Sequence, residues 1–159
     1  MRVKVKFVND KAKELYLSAS SGESVFPFKF HSRDFCYDIV ATSRKEIAPN
    51  VYKYGIGLAF QVCRLEGFSP TRISIDLRPR SSVWKTGMVL SSCVGTIDET
   101  YTGEVSAVFY HLFPDMPIYE VGDRIGQIKI GTALPMGFVE VEELDDTDRG
   151  AGGYGSTGK

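Results

Sequence analysis

The chain has 159 residues, of which 43% are hydrophobic and 25% are charged, and its formal net charge is −1 at pH 7. These values predict one compact domain that buries roughly 70% of the surface of the unfolded chain, and the weak net charge argues against nucleic acid as a partner. Three cysteines without CxxC spacing and two histidines argue against a disulfide framework and a zinc site, and they predict reduced thiols.

The N-terminal residues 3–8 alternate polar and apolar side chains, which predicts a half-buried strand. They contain no continuous apolar stretch, so we expect neither a signal peptide nor a membrane span there, and we expect a cytoplasmic protein with no membrane partner. Residues 10–17 predict one or two helical turns. No convincing long helix is indicated elsewhere.

Short strand patterns dominate the rest of the chain. Residues 72–77 and 139–142 alternate and predict half-buried strands, whereas the apolar stretches 105–113 and 125–130 predict strands buried on both faces. A turn is expected near Trp84, with its side chain in the core. Many short strands between Gly, Pro, Asn and Asp signals predict an all-β barrel or jelly-roll-like sandwich.

The sequence predicts one folded domain followed by a flexible segment. We place the folded β domain at residues 1–144 and a flexible glycine-rich segment at residues 145–159. The acidic residues 145–148 between them are interpreted as a solvated linker.

Arg80, Ser81 and Ser82 follow the predicted strand 72–77 and the proline after it. A guanidinium fork beside two hydroxyl groups suits a phosphate group through charge-assisted hydrogen bonds. An ordinary turn has the same composition, so the residues alone leave both interpretations open.

Residues 95–105 predict a β-hairpin, with glycines near both ends of a polar turn. Unpaired backbone N–H and C=O groups along the edge of a hairpin can form hydrogen bonds with a nucleobase, as a complementary base would. Asp98 follows the apolar Ile97, and a carboxylate in a partly desolvated pocket can accept a proton from water as a general base. The alternative is a turn aspartate that caps local N–H groups.

Asp38 follows Tyr37 at the start of an apolar run and is a candidate for orienting water around a magnesium ion bound to phosphates, although strand-end carboxylates are usually only solvated. Residues 122–128 predict a turn into a strand that presents Gln127 as a ligand candidate. Asp123 and Arg124 are expected to be structural, as an ion pair.

The C-terminal residues 149–159 contain five glycines, and glycine loses the most backbone entropy on ordering, so a mobile tail is predicted. Its N–H groups, with Arg149, Ser156 and Thr157, suit phosphate oxygens, and Tyr154 offers a flat face for a base. A truncated P-loop, a short RNA-binding tail and a disordered solubilising end are the alternatives.

Five segments in chain order resemble the five motifs of the trimeric dUTP pyrophosphatase (dUTPase) family. They are residues 35–41, residues 79–82 with Lys85 and Gly87, residues 95–105, residues 122–128 and residues 149–158. The resemblance implies a jelly-roll-like distorted β-barrel assembled as a homotrimer, with active sites shared among subunits and a mobile C-terminal tail that closes over a neighbouring site. It also implies Mg²⁺-dependent hydrolysis of dUTP to dUMP and pyrophosphate, which limits uracil in DNA and supplies dUMP for dTMP synthesis.

The resemblance also implies roles for individual residues. Asp98 would activate water for attack on the α-phosphate, Asp38 would orient water on Mg²⁺, and Tyr101 would pack against the deoxyribose. Tyr154 would stack over uracil. The other substrate-binding residues would be Gly95, Thr96 and Ile97 with Ser92 at the base, Arg80, Ser81, Ser82 and Gln127 at the phosphates, and Arg149, Gly155, Ser156 and Thr157 in the tail.

Some positions depart from the family pattern. Phe35 and Cys36 stand where an Ala-Gly pair is usual, Ser82 stands where glycine is frequent, and Ser92 replaces an amide found in some relatives. A dCTP deaminase and a non-catalytic regulatory protein on the same scaffold are the alternative functions. The Ile97–Asp98 pair with Tyr101, and the glycine-rich tail, favour hydrolysis.

Overall fold

The computed structural model describes residues 2–19, 35–63 and 72–153. Within these ranges the elements are β1 (Arg2–Phe7), α1 (Asp10–Ala19), β2 (Tyr37–Val40), β3 (Ser43–Ala48), β4 (Val51–Gly55), β5 (Leu58–Cys63), β6 (Arg72–Pro79), a 3-10 helix (Ser81–Lys85), β7 (Met88–Leu90), β8 (Gly95–Asp98), β9 (Ser106–His111) and β10 (Arg124–Ala133). The prediction of an all-β, jelly-roll-like fold is confirmed.

The strands form three hydrogen-bonded sheets. One four-stranded sheet, the site sheet, has the order β2-β10-β6-β8, and a second has the order β3-β4-β9-β7. The strands β1 and β5 form a two-stranded sheet. Neighbouring strands in the ladders are antiparallel, and the sheets stay open at their edge strands.

The predicted N-terminal strand and helix are both confirmed. Asn9 caps the helix, since its Oδ1 accepts a hydrogen bond of 2.8 Å from the N–H of Ala12. Tyr16 is buried, and its hydroxyl donates to the carbonyl of Ile56 at 3.0 Å and accepts from the N–H of Val40 at 3.2 Å. Helix α1 is thereby joined to β2, the strand that carries Asp38.

The core lies between the two larger sheets and α1. Alternation places Ile75 and Leu77 of β6 inside, where they share a cluster with residues such as Ile39 and Ile128. Tyr54, Phe109 and Tyr119 pack edge to face, with ring centroids 5.5 to 6.3 Å apart. The apolar inner face of the site sheet leaves its other face to polar side chains.

Three predictions of local structure are wrong. Residues 139–142 form no strand in the described chain and are exposed, with Val139 at 85%, because no strand among the described residues pairs with them. Trp84 is 71% exposed rather than in the core, since the 3-10 helix turns it outward. Strand β9 alternates, with Phe109 buried and Tyr110 47% exposed, instead of being buried on both faces.

The predicted hairpin at residues 95–105 is also wrong. Its first half is β8, which pairs with β6, and a turn follows in which the N–H of Tyr101 donates to the carbonyl of Asp98. Its second half leaves the site sheet, because the N–H of Val105 donates to the carbonyl of Leu58. Long-range pairing with β6 therefore replaces the local pairing that the glycines suggested.

Candidate active site

The site sheet presents a polar face built by strand register. In an antiparallel ladder, directly paired residues point to the same side. One row runs from Asp38 of β2 through Gln127 of β10 to Arg78 of β6. A second row joins Ser74 of β6 to Asp98 of β8, so both candidate carboxylates lie on one face.

Asp38 is the centre of a polar cluster at the β2 end of this face. Its Oδ2 lies 2.9 Å from Nη1 of Arg124, and its Oδ1 accepts a hydrogen bond of 3.0 Å from Nε2 of Gln127. The Nε of Arg80 lies 3.4 Å from the same Oδ1. The structure thus brings together Asp38, Arg80 and Gln127, three residues singled out in the sequence.

Arg124 was missed as a member of this cluster, and its predicted ion pair with Asp123 is wrong. Asp123 instead accepts a hydrogen bond of 2.7 Å from the N–H of Glu120. The register of β10 against β2 shifts between Arg124 and Gly126. A bulge of this kind re-aims side chains, so regular alternation in the sequence gave no signal for the Arg124–Asp38 pair.

Arg80 has a hydrogen-bond donor without a partner among the described residues. Its Nε is buried and makes no hydrogen bond, since the 3.4 Å contact with Asp38 is an ion pair without hydrogen-bond geometry. An unsatisfied buried donor is costly, by about 1 to 3 kcal/mol. Ser81 and Ser82 follow in the 3-10 helix, exposed and half-buried respectively. This corner of the sheet therefore offers donors to an anionic ligand.

Asp98 ends β8 and is exposed. Within the described chain, β8 pairs with β6 and with no strand on its other side. The backbone of Gly95, Thr96 and Ile97 thus borders an open sheet edge, although no hairpin forms. Tyr101 lies in the turn after β8, 49% exposed, and its hydroxyl donates to the carbonyl of Glu104 at 2.9 Å.

The two carboxylates stand at opposite edges of the site sheet. Strands β10 and β6 separate β2 from β8. Three strand spacings amount to about 14 Å. One chain therefore does not bring Asp98 to the cluster formed by Asp38, Arg80 and Gln127.

The remaining predicted residues are Ser92 and those of the C-terminal tail. Ser92 is exposed in the turn before β8, with its Oγ 3.6 Å from the position a Cβ would take on Gly95. Arg149 is exposed, and its Nε donates to the carbonyl of Gly152 at 2.9 Å. The other tail residues, Tyr154, Gly155, Ser156 and Thr157, lie outside the described residues.

Magnesium fits this face only through water. In the described parts of the chain, no group of three or more His, Cys, Asp or Glu side chains is arranged to hold a metal ion. Both oxygens of Asp38 already contact cations or an amide donor. Mg²⁺ commonly keeps several waters and binds mainly substrate phosphates. A single carboxylate that already contacts other side chains can therefore contribute by accepting hydrogen bonds from those waters.

Guanidinium, amide and hydroxyl donors beside a carboxylate are chemically suited to a phosphorylated ligand. A sequence model of the family described as dUTPase matches residues 27–158. The chain is 38% identical to the deoxyuridine 5′-triphosphate nucleotidohydrolase of Corynebacterium glutamicum over 140 residues, covering 86% of this chain and 89% of that protein. It is 32% identical to the corresponding protein of Nautilia profundicola over 161 residues, covering 100% of both. The chain belongs to the dUTPase family.

Solved structures show the same fold. A mutant dUTPase of Staphylococcus bacteriophage 80alpha with dUpNHpp superposes with a TM-score of 0.68 at 22% identity, covering 99% of both chains. A mutant dUTPase of phage phi11 of S. aureus, described for the coordination of a structural Mg(II) ion, has a TM-score of 0.64 at 19% identity and covers 92% of this chain and 100% of its own. No helix in the described residues is long and apolar enough to cross a membrane.

Proposed function

We propose that the chain hydrolyses dUTP to dUMP and pyrophosphate, with Asp98 as the general base. Family membership supports the reaction, and one structural observation supports the assignment of residues. The Asp38 cluster and Asp98 lie on the same polar sheet face, one at each edge. The product dUMP would feed dTMP synthesis, and removal of dUTP would limit uracil in DNA.

The proposed chemistry uses groups that the structure leaves available. The exposed carboxylate of Asp98 takes a proton from water, and the water oxygen bonds to the α-phosphorus. The bond from that phosphorus to the bridging oxygen breaks, and pyrophosphate leaves with the electron pair. Arg80, Ser81, Ser82 and Gln127 donate to the phosphate oxygens.

Magnesium is the proposed cofactor. When bound to the triphosphate it would neutralise negative charge that develops on the leaving group. Asp38 would hold water of the ion's shell, and Arg124 and Gln127 keep the Asp38 carboxylate in a single orientation for that purpose.

Uracil recognition is assigned to the open edge of β8. The backbone N–H and C=O groups of Gly95, Thr96 and Ile97 can pair with the base edge, with Ser92 at the entrance to the strand. The half-exposed ring of Tyr101 would pack against the deoxyribose and exclude a 2′-hydroxyl group.

We also propose a homotrimer with shared active sites. The separation of about 14 Å across the sheet supports an arrangement in which Asp98 of one copy meets the Asp38 cluster of another. The stretch after β10 supports this assembly, because large apolar side chains there are exposed: Leu134 at 78%, Met136 at 77%, Phe138 at 91% and Leu144 at 88%. Such exposure is typical of a surface covered by another chain.

The tail is proposed to close over the site. Residues 1–144 would form the folded domain and residues 145–159 the lid, with Arg149, Ser156 and Thr157 at the phosphate end, Gly155 at the backbone and Tyr154 over the base. Ordering of a glycine-rich lid on the ligand would exclude water after substrate entry.

A cytoplasmic location is proposed from the free thiols of Cys36, Cys63 and Cys93, which suit a reducing compartment.

The deciding assay incubates the purified protein with Mg²⁺ and dUTP, dCTP, dTTP or UTP, and measures pyrophosphate and ammonia separately. We expect pyrophosphate from dUTP and little product from the other three. Ammonia from dCTP would assign the chain to the deaminase alternative. Pyrophosphate from none of them would leave the regulatory alternative.

A further inference from the structure

A second polar group lies next to Asp98 on the site sheet. Ser74 of β6 is the direct partner of Asp98 in the ladder, so their Cβ atoms are about 4.5 to 5.5 Å apart. The hydroxyl of Ser74 can therefore reach the carboxylate of Asp98. In the structure its Oγ lies 2.8 Å from Oδ1 of Asp76 on its own strand.

The direction of this hydrogen bond follows from charge. Oδ2 of Asp76 lies 3.1 Å from Nζ of Lys129, and both side chains are largely buried, at 14% and 19% exposure. Burial works to raise the pKa of Asp76, but the hydrogen bonds from Ser74 and Lys129 and the positive charge of Lys129 together lower it. Asp76 is thus ionised and can only accept, so Ser74 donates its single proton.

Gly131 of β10 completes the arrangement. It pairs with Ser74 in the ladder, and a Cβ on it would stand 2.5 Å from Oγ of Ser74 and 2.9 Å from Oδ2 of Asp76. Only a residue without a side chain leaves room for the Ser74–Asp76 contact. The arrangement therefore depends on two paired strands, β6 and β10.

We propose that Asp76, held by Lys129, is a positioning residue that takes up the hydroxyl proton of Ser74 and so keeps it away from the carboxylate of Asp98. A hydroxyl that donates to a carboxylate stabilises its charged form and makes it a weaker base. With that proton engaged by Asp76, the carboxylate of Asp98 receives no hydrogen bond from Ser74. The inference rests on the proposed role of Asp98 as the base.

Other charged side chains lie near Ser74, Asp76 and Asp98 and must stay constant in a test. Nη2 of Arg78 lies 4.0 Å from Oδ2 of Asp76. Arg72 of β6 pairs with Glu99, the residue after Asp98, at 3.1 Å, and Lys129 stands on β10 behind Asp76. The best variants therefore leave every charge in place. Ser74→Ala and Gly131→Ala do so.

The first experiment titrates the carboxyl carbon of Asp98 by NMR in wild type and Ser74→Ala. Because the hydroxyl does not touch Asp98, its removal should shift the pKa of Asp98 by less than about 0.2 unit. A clear rise of that pKa in Ser74→Ala would show that Ser74 donates to Asp98 and would overturn the proposal. The titration does not depend on turnover, so it stands apart from any failure of the proposed reaction.

The second experiment moves the hydroxyl proton of Ser74 from Asp76 toward Asp98. In Gly131→Ala the new methyl group pushes the hydroxyl of Ser74 from Asp76 toward Asp98, so the pKa of Asp98 and kcat should both fall, kcat by about threefold or more. Adding Ser74→Ala to Gly131→Ala should return kcat to within about twofold of wild type and the pKa of Asp98 to its wild-type value. An unchanged pKa in Gly131→Ala, or no recovery in the double variant, would contradict the proposal.

Asp76→Ala with Lys129→Met serves as a second route if Gly131→Ala does not fold. It removes one charge of each sign, leaves the net charge unchanged and frees the Ser74 proton. The same fall and the same recovery on adding Ser74→Ala are expected. A merely structural role of Asp76 would lower the unfolding midpoint without recovery of kcat on adding Ser74→Ala, and that result would overturn the proposal.

Discussion

Gln127 of β10 donates a hydrogen bond of 3.0 Å from Nε2 to Oδ1 of Asp38 on β2. The contact joins Gln127, a proposed phosphate-binding residue, to Asp38, the carboxylate proposed to hold water of the magnesium shell. It also leaves the side-chain carbonyl oxygen of Gln127 free to accept from water. The polar cluster at this corner is thus organised by the protein before any ligand binds, which reduces the ordering cost of binding.

Replacing Asp98 by Asn should abolish turnover while sparing substrate binding. The amide keeps the shape of the carboxylate but cannot accept a proton from water, and a general base contributes about 10² to 10⁴-fold in rate. Pyrophosphate release gives kcat, and calorimetry with a non-hydrolysable dUTP analogue gives Kd. Near-normal turnover in Asp98→Asn would remove Asp98 as the base.

Replacing Arg124 by Met should raise the Mg²⁺ concentration needed for half-maximal rate. The change removes the 2.9 Å ion pair with Asp38, whose side chain is only 26% exposed, and frees the carboxylate to reorient. A loss of about tenfold in kcat/KM is expected from misplacement of such a group. Lys45→Met on β3 of the other sheet is the matched control and should behave as wild type.

Truncation before Arg149 should leave a folded protein with little activity. In the described part of the tail, Arg149 forms a local hydrogen bond to the carbonyl of Gly152, and Arg149, Gly150 and Ala151 are exposed. Thermal unfolding should match that of the full chain, and kcat/KM should fall. Wild-type turnover after truncation would refute the lid.

Stability should fall above about pH 10, the usual pKa of a free tyrosine. Burial raises the pKa of Tyr54 to about 12 in the folded chain, and it raises the pKa of Tyr16 and Tyr119 as well. The unfolded chain then releases protons that the folded chain retains, so the free energy of unfolding falls as pH rises through this window. Urea unfolding at pH 8 to 11 measures it.

Tyr54→Phe provides the control for this alkaline transition. Phe cannot ionise, so the slope of stability against pH above 10 should become shallower. The variant also loses the 3.0 Å hydrogen bond that the Tyr54 hydroxyl donates to the carbonyl of Tyr119, at a cost of about 1 kcal/mol at neutral pH. An unchanged slope would show that another group governs the alkaline transition.

Cys93→Gly should stabilise the fold. Cys93 has a φ of 55° in the turn before β8, a left-handed conformation that costs a residue with a Cβ about 1 to 2 kcal/mol. Its side chain is exposed, so little packing is lost. Cys93→Ala keeps the Cβ and should give no gain, and equal stability of the two variants would contradict this account.

Local patterns in the sequence predicted much of the fold. The alternation at the N-terminus and at residues 72–77 corresponds to β1 and β6, and the helical turns at residues 10–17 correspond to α1. These predictions hold because the periodicity of buried side chains is a local property. Alternation at residues 139–142 did not yield a strand, since a strand also needs a neighbour to pair with, and none of the described chain supplies it.

The sequence by itself determined the residue types of the site and their order, including Asp38, Arg80, Asp98 and Gln127. Only the tertiary structure decided which of them meet. A bulge in β10 brought Arg124 to Asp38, and the strand order β2-β10-β6-β8 placed Asp98 at the far edge. Register and strand order arise from backbone hydrogen bonds between distant segments. The periodicity of side chains along a single segment therefore does not predict them.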